Sequence, residues 1–426
     1  MGKKLLLLIC TLLLSAGPLL AQTYNEEAKQ DLESLKPGTS NFLARGYSHA
    51  GFQSIDGNSS FVSGQYAPIL MWKQGDRILF ESELEIEFEG DGVQFALEYA
   101  NISYILNDYA ILRVGNFLTP FGAFNDRIHP AWINKLPTAP LGMGHDPVGP
   151  TNEFGAELRG AADLGNSKFN YSLYLSNGSI LSVHDEDSTS APEVSLSGLN
   201  FEDNNNEKAI GGRFGFLPFN NSALELGVSA QYTSNIANKD FDYGKVGMLN
   251  YAFDLSFVKN SIQPIKGNID IKAQWNQSNI DEFELVLPDG DELIFDQKSS
   301  AYYTQIAYRP SLSSSPFLSK LEFVGRYSGI DLPEASEEHG DEPETTSPKV
   351  SENGTSNSLR LKSLFTPEVV GGGEEEEVHN EGDRTQIAFG INYWISWRSV
   401  IKFSYQITDN NEDTFSGMYL HYALGF

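Results

Sequence analysis

The chain has one cysteine, Cys10, inside a short apolar run near the N-terminus. Ile9 before it is bulkier than the small residue a lipoprotein cleavage site wants. Without that leader the chain holds no cysteine, which excludes a disulfide framework and any thiolate metal or redox site. Basic residues are also scarce, 29 Lys and Arg against 57 Asp and Glu. Clustered cations that could neutralise phosphates are missing, so nucleic acid is not an expected partner. After the leader there is no run of about eighteen apolar residues, the length a membrane-spanning helix needs. There is no GxSxG, no HExxH and no Gly-rich phosphate loop. A barrel lipase would need Ser, His and Asn together on adjacent strands, and His49 and His421 have no such partners in the sequence. Neither enzymatic activity nor a cofactor is expected.

What is present begins with a leader. Lys3 and Lys4 precede the apolar run Leu5 to Leu14, and Ala16, Gly17 and Ala21 follow as small residues. That is the pattern of a secretory signal peptide, residues 1–21, with Leu19 a poor fit three residues before the cut. Losing Lys3 and Lys4 takes the net charge from −28 to −30. A short polar lead follows over residues 22–40, with Glu26, Glu27 and Lys29, too short for an energised-transport plug. The rest, 41–426, reads as one all-β domain.

Its dominant period is two. Phe80, Ser82, Leu84, Ile86 and Phe88 alternate with Glu81, Glu83, Glu85 and Glu87. A strand puts these sets on opposite faces, whereas a helix would scatter the glutamates around its axis. Leu224, Leu226, Val228, Ala230 and Tyr232 repeat the pattern, as do Ile401, Phe403, Tyr405 and Ile407. Such segments number about sixteen, an even count that suits a closed transmembrane antiparallel β-barrel. Connections sort by parity. One side has tight turns such as Asn107-Asp108, Gly165 to Ser167 and Ser396-Trp397. The other has every long loop: Leu118 to Asn152, Gly178 to Asn206, Ser278 to Lys298, and Asp331 to Asp383. Short periplasmic turns with long extracellular loops mark a barrel in the outer membrane of a Gram-negative bacterium. Trp72, Trp275, Tyr393 and Trp394 are expected in its interfacial girdles. The final strand carries Met418, Leu420, Tyr422 and Leu424 on one face and ends on Phe426, the kind of C-terminus the barrel assembly machinery reads.

The segment from Arg113 to Leu141, RVGNFLTPFGAFNDRIHPAWINKLPTAPL, is the most distinctive. With Gly115-Asn116-Phe117 and Pro120-Phe121-Gly122 at the end of a strand entering a long loop, the chain resembles the phosphate-selective porins O and P and their broader porin relatives. The resemblance implies a sixteen-stranded barrel, assembled as a homotrimer, whose third extracellular loop folds inward to narrow the pore. Asp126, Arg127, His129 and Lys135 on that loop are then the constriction residues.

The chain departs from that family in its lumen. Phosphate selectivity needs a cationic lining, and strand parity here offers Glu81, Glu83, Glu85, Glu87, Glu98, Glu225, Asp254, Asp270 and Glu322. Against them stand Arg45, Lys272, Arg326 and Lys402. Rings of carboxylates favour cations, so a weakly cation-preferring or mixed pore is expected. Glu337 to Glu342 with His339, and Glu374 to Glu377 with His379, lack the spacing of a defined metal site. They read as solvated loop with at most loose divalent bridging to lipopolysaccharide. The expected function is passive diffusion of small hydrophilic solutes or ions. The alternatives are a channel specific for phosphate or another small anion, and a non-conducting surface adhesin or binding barrel.

Overall fold

A computed structural model describes residues 41–426, apart from 63, 90–91, 145–146, 185–192, 199–200, 202, 204, 240–243, 287–291, 333–335, 338–382 and 411–412. The expected signal peptide and N-terminal lead lie outside the described residues, as do the second acidic and histidine cluster and all of the first but the backbone of Glu337.

One sheet of eighteen strands closes on itself. Two are short additions: Asn58–Val62 folds back on the first strand, and Ser336–Glu337 pairs at an upper edge. The other sixteen form the barrel. They are β1 (Asn41–Ile55), β2 (Gln65–Gln74), β3 (Ile78–Glu89), β4 (Gly92–Asn107), β5 (Ala110–Leu118), β6 (Asn152–Leu164), β7 (Ser167–Ser176) and β8 (Ala209–Leu217). Then follow β9 (Leu224–Thr233), β10 (Met248–Ile262), β11 (Gly267–Val286), β12 (Glu292–Arg309), β13 (Leu321–Asp331), β14 (Arg384–Ser396), β15 (Ser399–Asp409) and β16 (Thr414–Gly425). Each pairs antiparallel with its sequence neighbour, and β1 pairs β16 from Tyr47↔Gly425 to Ile55↔Gly417 to shut the ring. Phe426 extends the seam: its N–H donates to Gly46 O at 2.9 Å, and its ring stacks on Tyr66. No helix among the described residues is long and apolar enough to cross a membrane.

The barrel is inside out relative to a water-soluble protein. On β14, Ile387, Phe389 and Ile391 are exposed on the outer face while Gln386 and Asn392 are buried inside. On β15, Ile401, Phe403, Tyr405 and Ile407 point outward, and Lys402, Ser404, Gln406 and Thr408 inward. An apolar exterior around a polar interior is stable only in lipid, where closure gives every backbone group a partner. Trp397 at the short-turn rim is 69% exposed with Arg398 over its ring, as an interfacial anchor requires. Trp394 is a correction to the girdle expectation: it faces the lumen, where its indole N–H donates to Glu322 at 3.1 Å.

Two boundaries differ from the sequence reading. The predicted loop from Ser278 to Lys298 is mostly strand, because β11 and β12 stay paired up to Val286↔Glu292. That hairpin overtops β13, whose pairing with β12 reaches only Ser300↔Asp331. Polar Asp281, Glu282 and Glu284 hid the alternation of Phe283 and Leu285. The fourth upper loop carries its own hairpin, Ile180–His184 with Glu193–Ser197, hydrogen-bonded to the fifth loop through Leu181 N–H to Ile236 O at 2.7 Å.

Candidate pore site

The third upper loop, residues 119–151, folds into the barrel and is seated on most of its inner wall. Its motif glycines make this possible. Gly115 has φ +126° and lies where a Cβ would meet Ala100 O at 2.5 Å. Gly122 has φ +64°, with the Gln274 side chain 2.0 Å from where a Cβ would be. There the chain turns onto the wall: Gly122 N–H donates to Ser229 Oγ, and Ala123 and Phe124 N–H both donate to Gln274 Oε1 at 2.8 and 2.9 Å. Gly122→Val therefore unseats the start of the loop. The expected cost is about 1–3 kcal/mol, read as a lower temperature of heat-induced unfolding on a gel and faster proteolysis of the loop.

Beyond that turn the loop is held by apolar packing and by buried cations. Phe124, Ile128, Met143 and Val148 pack on Ala301, Tyr303 and Ile330, and Leu136 packs on Ala307, Val324 and Ala388. Arg326 donates to Thr138 O at 2.8 Å and Ala139 O at 3.0 Å. Lys402 Nζ donates to Ala131 O and Asn134 O. Both residues were expected as lumen-facing charges opposing the carboxylates. Instead they are 3% and 1% exposed and clamp the loop backbone.

The four expected loop residues have different fates. Asp126 and Arg127 lie on a single helical turn, Phe124–Arg127, and remain partly open. Arg127 reaches both carboxylate oxygens of Glu225, at 2.9 and 3.0 Å. Lys135 is paired with Glu322 at 2.9 Å and lies 3.8 Å from Asp270. His129 is turned inward, its Nδ1 2.5 Å from Asn125 O and its ring edge-on to Tyr47, so it packs rather than lines.

The expected ring of carboxylates is a patch. Asp254 is held by Arg213 at 2.6 Å, Glu225 by Arg127 and Arg213, Asp270 by Lys272 at 2.7 Å, and Glu322 by Lys135. These four are neutralised where they stand. On β3 and β4, Glu81, Glu83, Glu85 and Glu98 form no ion pair among the described residues. Glu83 instead accepts from Tyr47 at 2.7 Å. Glu87 continues this row on β3. Glu98 joins it through a bulge, where the register passes from Glu83↔Tyr99 to Leu84↔Leu97.

Sequence reasoning missed four partners. Arg113, Glu157, Arg159 and Arg213 sit at lumen positions of β5, β6 and β8, and parity alone would have found them. They complete a chain of alternating charge. Glu157, fully buried, holds Arg113 through its Nε at 2.5 Å and accepts from Ser172 at 2.5 Å. Arg159 stands 3.8 Å from both Glu157 and Asp126, and Arg127, Glu225, Arg213 and Asp254 continue the series. Glu157→Leu strands the buried Arg113 guanidinium, with an expected loss of about 3–5 kcal/mol in a urea-unfolding series. His49 and His421 meet each other, stacked at 5.6 Å beside the β1–β16 seam. Among the described residues no three His, Cys, Asp or Glu side chains could hold a metal ion.

No family model and no curated protein sequence matches the chain. Solved structures do resemble it. An anion-selective porin from Comamonas acidovorans superposes with TM-score 0.51 at 11% identity, covering 91% of this chain and 100% of that one. The outer-membrane channel DcaP of Acinetobacter baumannii gives TM-score 0.51 at 10% identity, covering 91% and 98%. At that identity the likeness is one of fold. The chain is a closed sixteen-stranded transmembrane barrel with the fold of the outer-membrane porins.

Proposed function

We propose that the protein is a passive channel for small hydrophilic solutes and ions in the outer membrane of a Gram-negative bacterium, with a weak preference for cations. The observation that carries this reading is the charge layout inside the barrel. One wall, β3 and β4, holds Glu81, Glu83, Glu85 and Glu98 without ion pairs among the described residues, while the carboxylates elsewhere in the lumen, Glu225, Asp254, Asp270 and Glu322, are paired with cations. A passing cation is attracted by the carboxylates of that wall, and an anion is repelled by them. Asp126 and Arg127 on the inward loop border the passage, and Lys135 and His129 hold the loop in place. The surrounding partners are lipid and lipopolysaccharide, a homotrimer is the expected assembly, and Phe426 is the handle for barrel assembly.

A second reading, a channel specific for phosphate or another small anion, is favoured by Arg113, Arg127, Arg159 and Arg213 along one side. Three of the four are hydrogen-bonded to carboxylates, which leaves a weak anion field. Planar-bilayer recording across a potassium chloride gradient decides between them. Single-channel steps with a cation-favouring reversal potential are expected. An anion-favouring potential transfers the assignment to the second reading. Absence of steps from a folded, heat-modifiable barrel makes it a non-conducting surface protein.

A further inference from the structure

Asp126 and Arg159 face one open cavity of about 450 Å³ at the short-turn end of the lumen, beneath the inward loop. They stand 3.8 Å apart, close enough to be an ion pair and too far for a hydrogen bond. Neither side chain makes any hydrogen bond among the described residues. Asp126 is also 3.6 Å from Arg127 Nε, and Arg159 is 3.8 Å from Glu157. All the other charged groups of the chain of ion pairs are closed on a partner. Here an acceptor and a forked donor keep their capacity and point into the same space. Around them the cavity has an apolar side formed by Ile105, Ile111 and Ala161.

We infer that this cavity is a solute subsite for a small zwitterion with an apolar body, such as an amino acid with an aliphatic side chain. The inference deepens the channel reading and rests on it for its physiological use. The solute carboxylate takes the Arg159 guanidinium, which is 33% exposed and held to its own carboxylates only at 3.8 Å, through parallel N–H donors. The solute ammonium takes Asp126, whose carboxylate makes only the two long ion pairs to Arg127 and Arg159. The side chain lies on Ile105 and Ile111 and leaves water. A simple anion would satisfy Arg159 and leave Asp126 facing it with like charge. A simple cation would do the reverse, and only a solute carrying both charges answers both groups.

The test is titration calorimetry on the folded protein in detergent, with L-leucine as the probe. Its comparators each lack one feature: 4-methylpentanoate has no ammonium, isopentylamine no carboxylate, and glycine no side chain. Leucine is expected to saturate one site, with each comparator weaker by about tenfold or more. Arg159→Gln and Asp126→Asn should each weaken leucine by about tenfold, and Ile111→Ser should weaken leucine but not glycine. Lys245→Gln, at a side chain that is 74% exposed, paired with Glu207 and outside this cavity, should change nothing. Equal binding of leucine and 4-methylpentanoate removes the role of Asp126 and overturns the proposal, as does the absence of saturable leucine binding by folded protein. Bilayer conductance is read separately. Conductance without leucine binding refutes the subsite alone, and leucine binding without conductance refutes the channel alone.

Discussion

Replacing Arg326 and Lys402 together by Ala should raise the single-channel conductance in potassium chloride by about two- to fivefold. These two side chains come from β13 and β15, and they are the cationic clamps on residues 131–139 of the inward loop. Their removal leaves four loop carbonyls without their buried donors, at a cost of about 1–3 kcal/mol for each that stays dry. The loop relieves that cost by lifting into water. Lifting widens the passage, and the two vacated side-chain volumes widen it further. Packing of Leu136 on Ala307, Val324 and Ala388 opposes the movement, so the open state should flicker rather than stay. Liposome swelling should show a larger size limit for neutral sugars in the same variant. Unchanged conductance from a folded double variant would mean that the loop does not form the narrowest part of the passage.

The second large effect is on selectivity. Glu81→Gln/Glu83→Gln/Glu85→Gln keeps the volume of the β3 wall and removes its three neighbouring carboxyl groups. A unit charge about 4 Å away is worth about 1 kcal/mol to an ion in bulk-like water. Screening and distance reduce this, so the cation-to-anion permeability ratio should fall by about fivefold, with the reversal potential passing toward zero. Glu83 keeps a partner in this variant, because a Gln carbonyl still accepts from Tyr47. Neutralising both members of the paired set together, Glu225 and Asp254 with Arg127 and Arg213, should scarcely alter selectivity, since the two acids and two bases already cancel at contact distance. Neutralising Glu225 and Asp254 alone should instead uncover Arg127 and Arg213, shift the reversal potential toward anions and lower stability, because Arg213, whose side chain is 3% exposed, is stranded. A selectivity change of equal size from both sets would refute the division of the wall into a free patch and a neutralised part.

The fold was legible because its signal is local. A strand announces itself through residues two apart, as in Ile401, Phe403, Tyr405 and Ile407, and a tight turn through neighbours such as Asn107-Asp108. Sixteen such segments, with loops sorted by parity, admit a closed barrel and little else. The start of β12 at Glu292 rather than Ser299 escaped notice because acidic residues at the tip of that hairpin diluted the alternation.

The lumen was legible only in part. Parity assigns Glu225, Asp254, Asp270, Glu322, Arg326 and Lys402 to one face of their strands, but it could not tell what each would meet. The partner of Glu225 is Arg127, 98 residues away, and that of Glu322 is Lys135, 187 residues away. Arg326 and Lys402 find the loop carbonyls at 188 and 271 residues. No period or spacing encodes such pairs, because they arise where a loop from one strand is laid across strands far along the chain.

By itself, then, the sequence determined the alternation, the number of strands, the side on which the long loops emerge and the excess of carboxylate. Only the tertiary structure decided which carboxylates keep their field. That depends on where the third loop seats its few cations. Ion pairing acts within a few ångströms, and those distances exist only once the barrel has closed and the loop has turned inward at Gly122.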